Sequence, residues 1–172
     1  MTQYEKDLAA VKKNAYALRH VKEQTPELCL IAVKQFGCAL EYVEEQTPKI
    51  CLAAVRQNRC AIQYVEEQTP ELCLAAVKQY GSALEFVKKQ TPEICLEAIK
   101  QNGRALEYVK EQTPEICLEA IKQDGWSLKY VKNQTPELFD LMLDDNINII
   151  EALIKIPIEE LSPSVQLYLK LK

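Results

Sequence analysis

Seven cysteines, one histidine and several adjacent carboxylate pairs are the residues of this 172-residue chain that could do chemistry. Cysteine and histidine bind zinc when two pairs converge, and cysteines alone form disulfides. Their spacing argues against both. Cys29, Cys51, Cys73, Cys95 and Cys117 fall 22 residues apart, and Cys38 and Cys60 are also 22 apart at a second position. In stacked helical copies, equivalent residues sit about 9–10 Å apart, beyond the roughly 7 Å between Cα atoms that a disulfide tolerates. There is no C-x-x-C, and His20 is the only histidine. The thiols therefore read as small buried apolar groups in a reducing compartment. No metal and no cofactor is called for.

Catalysis needs unlike groups converging in a pocket, and a lone histidine leaves no triad. His20 stands where Tyr42, Tyr64 and Tyr108 stand in other copies, so it reads as a worn core position. No phosphate-cradling glycine loop is present. Glu44-Glu45 and Glu66-Glu67 read as a solvated face, and Asp144-Asp145 as a turn or helix end. The expectation is that this protein is not an enzyme.

These residues sit in a repeat. Gln-Thr-Pro begins at Gln24, Gln46, Gln68, Gln90, Gln112 and Gln134, and residues 90–111 and 112–133 differ at only five positions. A worn copy without Gln-Thr-Pro spans 2–23. We number each copy from its Gln as position one. Thr at two is a helix N-cap and Pro at three suits the first helical residue. A helix of about ten residues follows. Positions five, six, seven, nine and ten are apolar, as in Leu72, Cys73, Leu74, Ala76 and Val77, and position 13 (Tyr80) adds an apolar contact. Glycine at 14 is expected to end that helix in a left-handed conformation. Asn58-Arg59 breaks this rule, so a strained or differently shaped turn is expected there. A second helix is expected from Ser82 to about Lys89, with Ala83, Leu84, Phe86 and Val87 inward. The Gln residues at one and 12 are read as satisfying loose backbone groups at turns or between copies.

The fold class that follows is all-α, an α-solenoid of short helix-turn-helix units with a 22-residue period. Such short helices hold only by burying apolar faces against neighbouring copies. The repeats span 2–136. Residues 137–172 read as a C-terminal helical cap: Phe139, Met142 and Leu143 keep the register, Ile147, Ile150, Leu153 and Ile154 give another helix, and Ser162-Pro163 opens a last one.

The pattern A-[VI]-K-Q-x-G-x-A-L-x-[YF]-V, as at Ala76 to Val87 and Ala98 to Val109, resembles a family of tandem helical repeats catalogued as a domain of unknown function. That family is abundant in giant DNA viruses of amoebae and scattered among bacteria and protists. The resemblance covers about residues 2–136. It implies the architecture and leaves the function open.

Function is sought where copies differ. Position 15 runs Tyr16, Cys38, Cys60, Ser82, Arg104, Trp126, and position 13 runs Asn14, Phe36, Asn58, Tyr80, Asn102, Asp124. Position 21 runs Glu44, Glu66, Lys88, Lys110, Lys132, an acidic half followed by a basic one. Arg and Trp most often anchor interfaces. The candidate binding residues are therefore Trp126 and Arg104, with Tyr80, Asp124, Phe36, Lys88, Lys110 and Lys132. The expected role is an adaptor or steric inhibitor of a protein partner, a host or defence enzyme by analogy with the family's viral members. One rival is a nucleic-acid or nucleoprotein binder using Lys34, Arg56, Lys78, Lys100 and Lys122. Against it stand the net charge of −4 and the position-four glutamates. The other rival is a structural homo-oligomer. No apolar run approaches the roughly 18 residues of a membrane span, the N-terminus lacks a signal-peptide core, and nothing but the array is expected in the chain. A cytoplasmic location is expected.

Overall fold

A computed structural model describes residues 1–144 and 156–171. Among these residues all regular structure is helical. Two compact blocks divide the chain, Met1–Lys89 and Gln90–Lys172. Each block stacks copies of one pair, an α-helix followed by a 3-10 helix.

The N-terminal block holds α1 (Gln3–Lys13), α2 (Pro26–Gln35), α3 (Pro48–Gln57) and α4 (Pro70–Gln79). They alternate with the 3-10 helices η1 (Ala15–His20), η2 (Gly37–Tyr42), η3 (Arg59–Tyr64) and η4 (Gly81–Phe86). The C-terminal block holds α5 (Pro92–Gln101), η5 (Gly103–Tyr108), α6 (Pro114–Gln123), η6 (Gly125–Tyr130), α7 (Pro136–Asp144), η7 (Ile158–Glu160) and α8 (Pro163–Leu171). In both blocks this is the architecture of an α-solenoid with a 22-residue period.

The caps follow from the sequence. Thr25, Thr47, Thr69, Thr91 and Thr113 each accept, through the side chain, the backbone N–H three residues on, with Pro at the first helical position. This satisfies a donor that the helix cannot. The worn copy caps one position early: Thr2 and Glu5 form a reciprocal capping box ahead of α1.

The second element differs from the expected helix. It begins at the glycine, runs six residues and ends before Val87, as η4 does. Its bonds reach three residues back: Ala39 N–H donates to Phe36 O and Val43 N–H to Leu40 O. With three residues per turn, positions 14, 17 and 20 line up on one side and 15 and 18 on another. Gly37, Leu40 and Val43 are accordingly buried, while Glu41 is exposed and Cys38 half-buried. Position 19 is half-buried at Tyr42, Tyr64 and Phe86, and His20 is exposed rather than a core residue. In the α-helices, positions five, six, nine and ten form the core. Position seven is only half-buried at Leu30, Leu52, Leu74 and Leu96 and becomes buried at Leu118.

The glycine acts by closeness, and its backbone is not left-handed at Gly37 or Gly103. A Cβ on Gly37 would lie 2.5 Å from the Ala54 carbonyl oxygen, and one on Gly103 would lie 2.8 Å from that of Ala120. The missing side chain lets the next α-helix press its backbone against the start of the 3-10 helix. Nor is the Asn58-Arg59 turn distorted. Asn58 is extended at φ −147°, ψ 129°, like its counterparts Phe36 and Asn102.

The position-one glutamines staple the turns. Gln112 Nε2 donates to Leu106 O (3.1 Å) in the preceding copy and to Tyr130 O (2.9 Å) in its own, while its Oε1 accepts Lys132 N–H (2.9 Å). Gln24 and Gln68 repeat the set, and the two bonds within the same copy recur at Gln46 and Gln90. Position 12 forms a ladder between copies: Gln35 Nε2 donates to Lys12 O, and Gln57 Nε2 to Gln35 O.

After α7 the repeat gives way. Phe139 and Met142 are buried, whereas Leu143 is exposed. The expected helix at Ile147, Ile150, Leu153 and Ile154, and Asp145, lie outside the described residues. Ser162 takes over the last staple: its N–H donates to Gln134 Oε1 (3.0 Å) and its Oγ–H to Gln134 O (2.9 Å). Val165 of α8 and Leu161 are buried.

Candidate functional site

Position 13 ends each α-helix and caps the 3-10 helix that follows. Where it is Asn or Asp, its side chain accepts the N–H of position 15: Tyr16, Cys60, Arg104 and Trp126 are held this way. The variable pair 13 and 15 is therefore one local unit, with the first residue fixing the second. Phe36 and Tyr80 give no such bond and are half-buried. Phe36 stacks against Tyr16 with ring centroids 5.0 Å apart, and Tyr80 Oη–H reaches the carbonyls of Arg56 and Gln57.

In the C-terminal block this unit builds a cluster. Arg104 Nε donates to Asp124 Oδ2 at 2.8 Å, and the Arg104 guanidinium lies 5.9 Å from the centre of the Trp126 ring. Trp126 is 39% exposed. Asp124 thus does two things, capping the Trp126 N–H and anchoring the arginine above the indole. Three of the sequence-predicted site residues meet here. Phe36, Tyr80 and Lys88 belong to the N-terminal block.

The position-21 lysines have a structural use that the sequence reading missed. Lys132 Nζ donates to Val109 O (2.8 Å) and Lys110 O (3.0 Å), and Lys88 Nζ donates to Val65 O (3.3 Å). The lysines tie one copy's turn to the preceding one, which glutamates at 44 and 66 cannot do. Lys110 is exposed.

Burial pushes the thiols of Cys29, Cys51, Cys73 and Cys95 up, and that of Cys117 to about 11. Such thiols are poor nucleophiles. Sγ–H of Cys29, Cys51, Cys95 and Cys117 donates to the staple glutamine of its own copy. Among the described residues, no three His, Cys, Asp or Glu side chains are grouped to hold a metal.

The α3–α4 seam departs from the α5–α6 and α6–α7 seams and resembles the α1–α2 seam, where a groove of about 450 Å³ lies beside the worn copy. Arg59 stands where Gly37 and Gly103 allow close approach, so this copy has a Cβ at the position where the other full copies have none. Three features mark the α3–α4 seam as open. Leu72 is half-buried, where Leu28, Ile50, Ile94 and Ile116 are buried. Cys73 makes no bond to its staple glutamine Gln68, unlike the four other position-six thiols. A groove of about 480 Å³ lies along the seam, against about 260 and 220 Å³ at the α5–α6 and α6–α7 seams. The Arg59 side chain itself turns away to pair with Glu85 (3.1 Å), its guanidinium 5.8 Å from the Phe86 ring centre. The sequence carried this signal in the one full copy that lacks glycine.

Tandem α/3-10 pairs, stapled by glutamine and varied at fixed surface positions, define a helical repeat protein with residue-level variation on a constant frame. The chain belongs to the family described as Domain of unknown function (DUF4116), whose model matches residues 25–68, 69–113 and 93–138. Each of the first two matches covers two copies. No curated protein and no solved structure matches the chain. No helix among the described residues is long and apolar enough to cross a membrane.

Proposed function

We propose that this protein is a non-catalytic, protein-binding repeat array, an adaptor or steric inhibitor, that recognises its partner through Arg104 and Trp126. The observation that carries the reading is the Asp124–Arg104–Trp126 cluster. An exposed indole lies beneath a guanidinium that a carboxylate already holds at 2.8 Å. Trp and Arg dominate interface energies, and side chains fixed beforehand lose less entropy on binding. A host or defence enzyme as partner follows only from the family's viral members. Seven unpaired thiols support a reducing compartment such as the cytoplasm.

The nucleic-acid reading has less support. Lys34, Arg56 and Lys78 of one block and Lys100 and Lys122 of the other are exposed, but Lys100 is paired with Glu97 at 3.1 Å. Capture of partners from lysate with wild type, Trp126→Ala and Arg104→Ala side by side tests the proposal. Both variants are expected to lose a partner that wild type retains, with unchanged melting curves. If both keep every partner, this surface is not the one used. Steeply salt-dependent RNA or DNA binding would favour the rival.

A further inference from the structure

We propose that the open α3–α4 seam of the N-terminal block is a second, separate docking groove, built for an extended peptide segment in which basic residues follow a bulky apolar side chain on one side. The floor is apolar, formed by Leu52, Val65, Leu72 and Ala75. Its volume of about 480 Å³ lies in the roughly 300–1,000 Å³ range of ligand-binding clefts, room for one or two large side chains. Leu72 contributes surface that its counterparts bury, so an apolar side chain entering here completes a contact the fold leaves unfinished.

The rim chooses the occupant. Glu66, Glu67 and Glu71 line the groove, are exposed, and have no ion-pair partner among the described residues. Arg56 is the only cation in the lining. Even counting Lys88, whose Nζ sits on the Val65 carbonyl at 3.3 Å, three carboxylates outnumber two cations, which favours a partner carrying lysine or arginine beside its apolar anchor and disfavours an acidic one. Arg56 repels a cation near itself, so the basic residues belong on the side of the three glutamates. The equivalent groove at the α5–α6 seam offers Lys110 beside Glu111 and about half the volume. That seam lacks both the room and the charge. The groove is independent of the Trp126 cluster, which lies in the other block.

The test uses the full chain and an array of labelled hexapeptides in which two basic residues stand on one side of an apolar pair, read by fluorescence anisotropy. Saturable binding is expected. The double variant Glu66→Lys/Glu67→Lys, on the exposed rim, should weaken it at least about tenfold. Ala75→Trp, which fills the groove, should weaken it similarly, and Trp126→Ala should leave it unchanged. Control peptides with serines for the apolar pair, or glutamates for the basic residues, should not saturate. The proposal is overturned if no array member saturates by about 1 mM, or if the serine control binds equally well. It is also overturned if the rim variant binds like wild type, or if Trp126→Ala weakens binding. Concentration-dependent self-association that the rim variant abolishes would give the groove to a second copy of the chain, against the proposal.

Discussion

At the α5–α6 seam Gly103 lets a backbone carbonyl come so near that a Cβ would lie 2.8 Å from it, and Ile94 and Ile116 are buried. At the α3–α4 seam Arg59 occupies the same place, Leu72 stays half-buried, and a groove about twice as large remains. The helices on either side are alike in length, cap and core. One residue per copy therefore sets how tightly neighbouring copies close, while the glutamine staple keeps the chain in register whether they close or not.

The sharpest way to break this comparison is to put alanine at this position in both kinds of seam. Gly37→Ala should destabilise the protein by about 3 kcal/mol, because the clash is with backbone. Arg59→Ala should cost less, about 1 kcal/mol, since a Cβ is already accommodated and the loss is a partly exposed ion pair with Glu85 and the guanidinium contact over Phe86. Equal losses in urea unfolding would remove the glycine argument. Next in size are the staples. Gln68→Ala and Gln112→Ala, one at each seam, should each cost about 2 kcal/mol by leaving turn donors and acceptors unmet. A large difference between them would show that the open seam has weakened its staple too.

A smaller effect has the opposite sign. Ser127 is fully buried and its Oγ has no hydrogen-bond partner, at a position where the other copies have Ala17, Ala39, Ala61, Ala83 and Ala105. Ser127→Ala should raise stability by about 1 kcal/mol, measured as a higher melting temperature. The last effect is invisible at neutral pH. The Cys117 thiol ionises at about 11 when folded and near 8.5 when unfolded. Only the unfolded chain releases that proton in between, so stability is full below about pH 8.5 and falls as pH rises toward 11. The urea midpoint should drop between pH 8 and 10.5, and less so in Cys117→Ala.

Much of this was legible in the sequence. The 22-residue period, the Thr-Pro caps and the backbone role of the glutamines follow from spacing and from unmet helix donors. The 3-10 form of the second element was missed because six residues hold too few turns to distinguish a period of 3.0 from 3.6. The three-residue spacing of Gly37, Leu40 and Val43 was the clue the sequence offered. Glycine was read for its dihedral freedom when its use was lack of bulk, and a sequence does not reveal which atom sits opposite. His20 was assigned by register to a core row that is itself only half-buried. Position 15 stands out in the sequence at Arg104 and Trp126 by its variation, but the tie through Asp124 depends on geometry between copies. The lysines of position 21 looked like a charge pattern, and Lys88 and Lys132 instead bond carbonyls of the preceding copy.

At Gln24, Gln68 and Gln112 the amide's partners, apart from a cysteine thiol, are main-chain atoms: carbonyls at positions 17 and 19 and the N–H at 21. Such a clasp is indifferent to what side chains those partners carry. Genetic events that insert or excise one whole module leave each remaining clasp with its full set of mates. Lineages can thus lengthen or shorten the array, and rewrite its outward letters, without redesigning its joints.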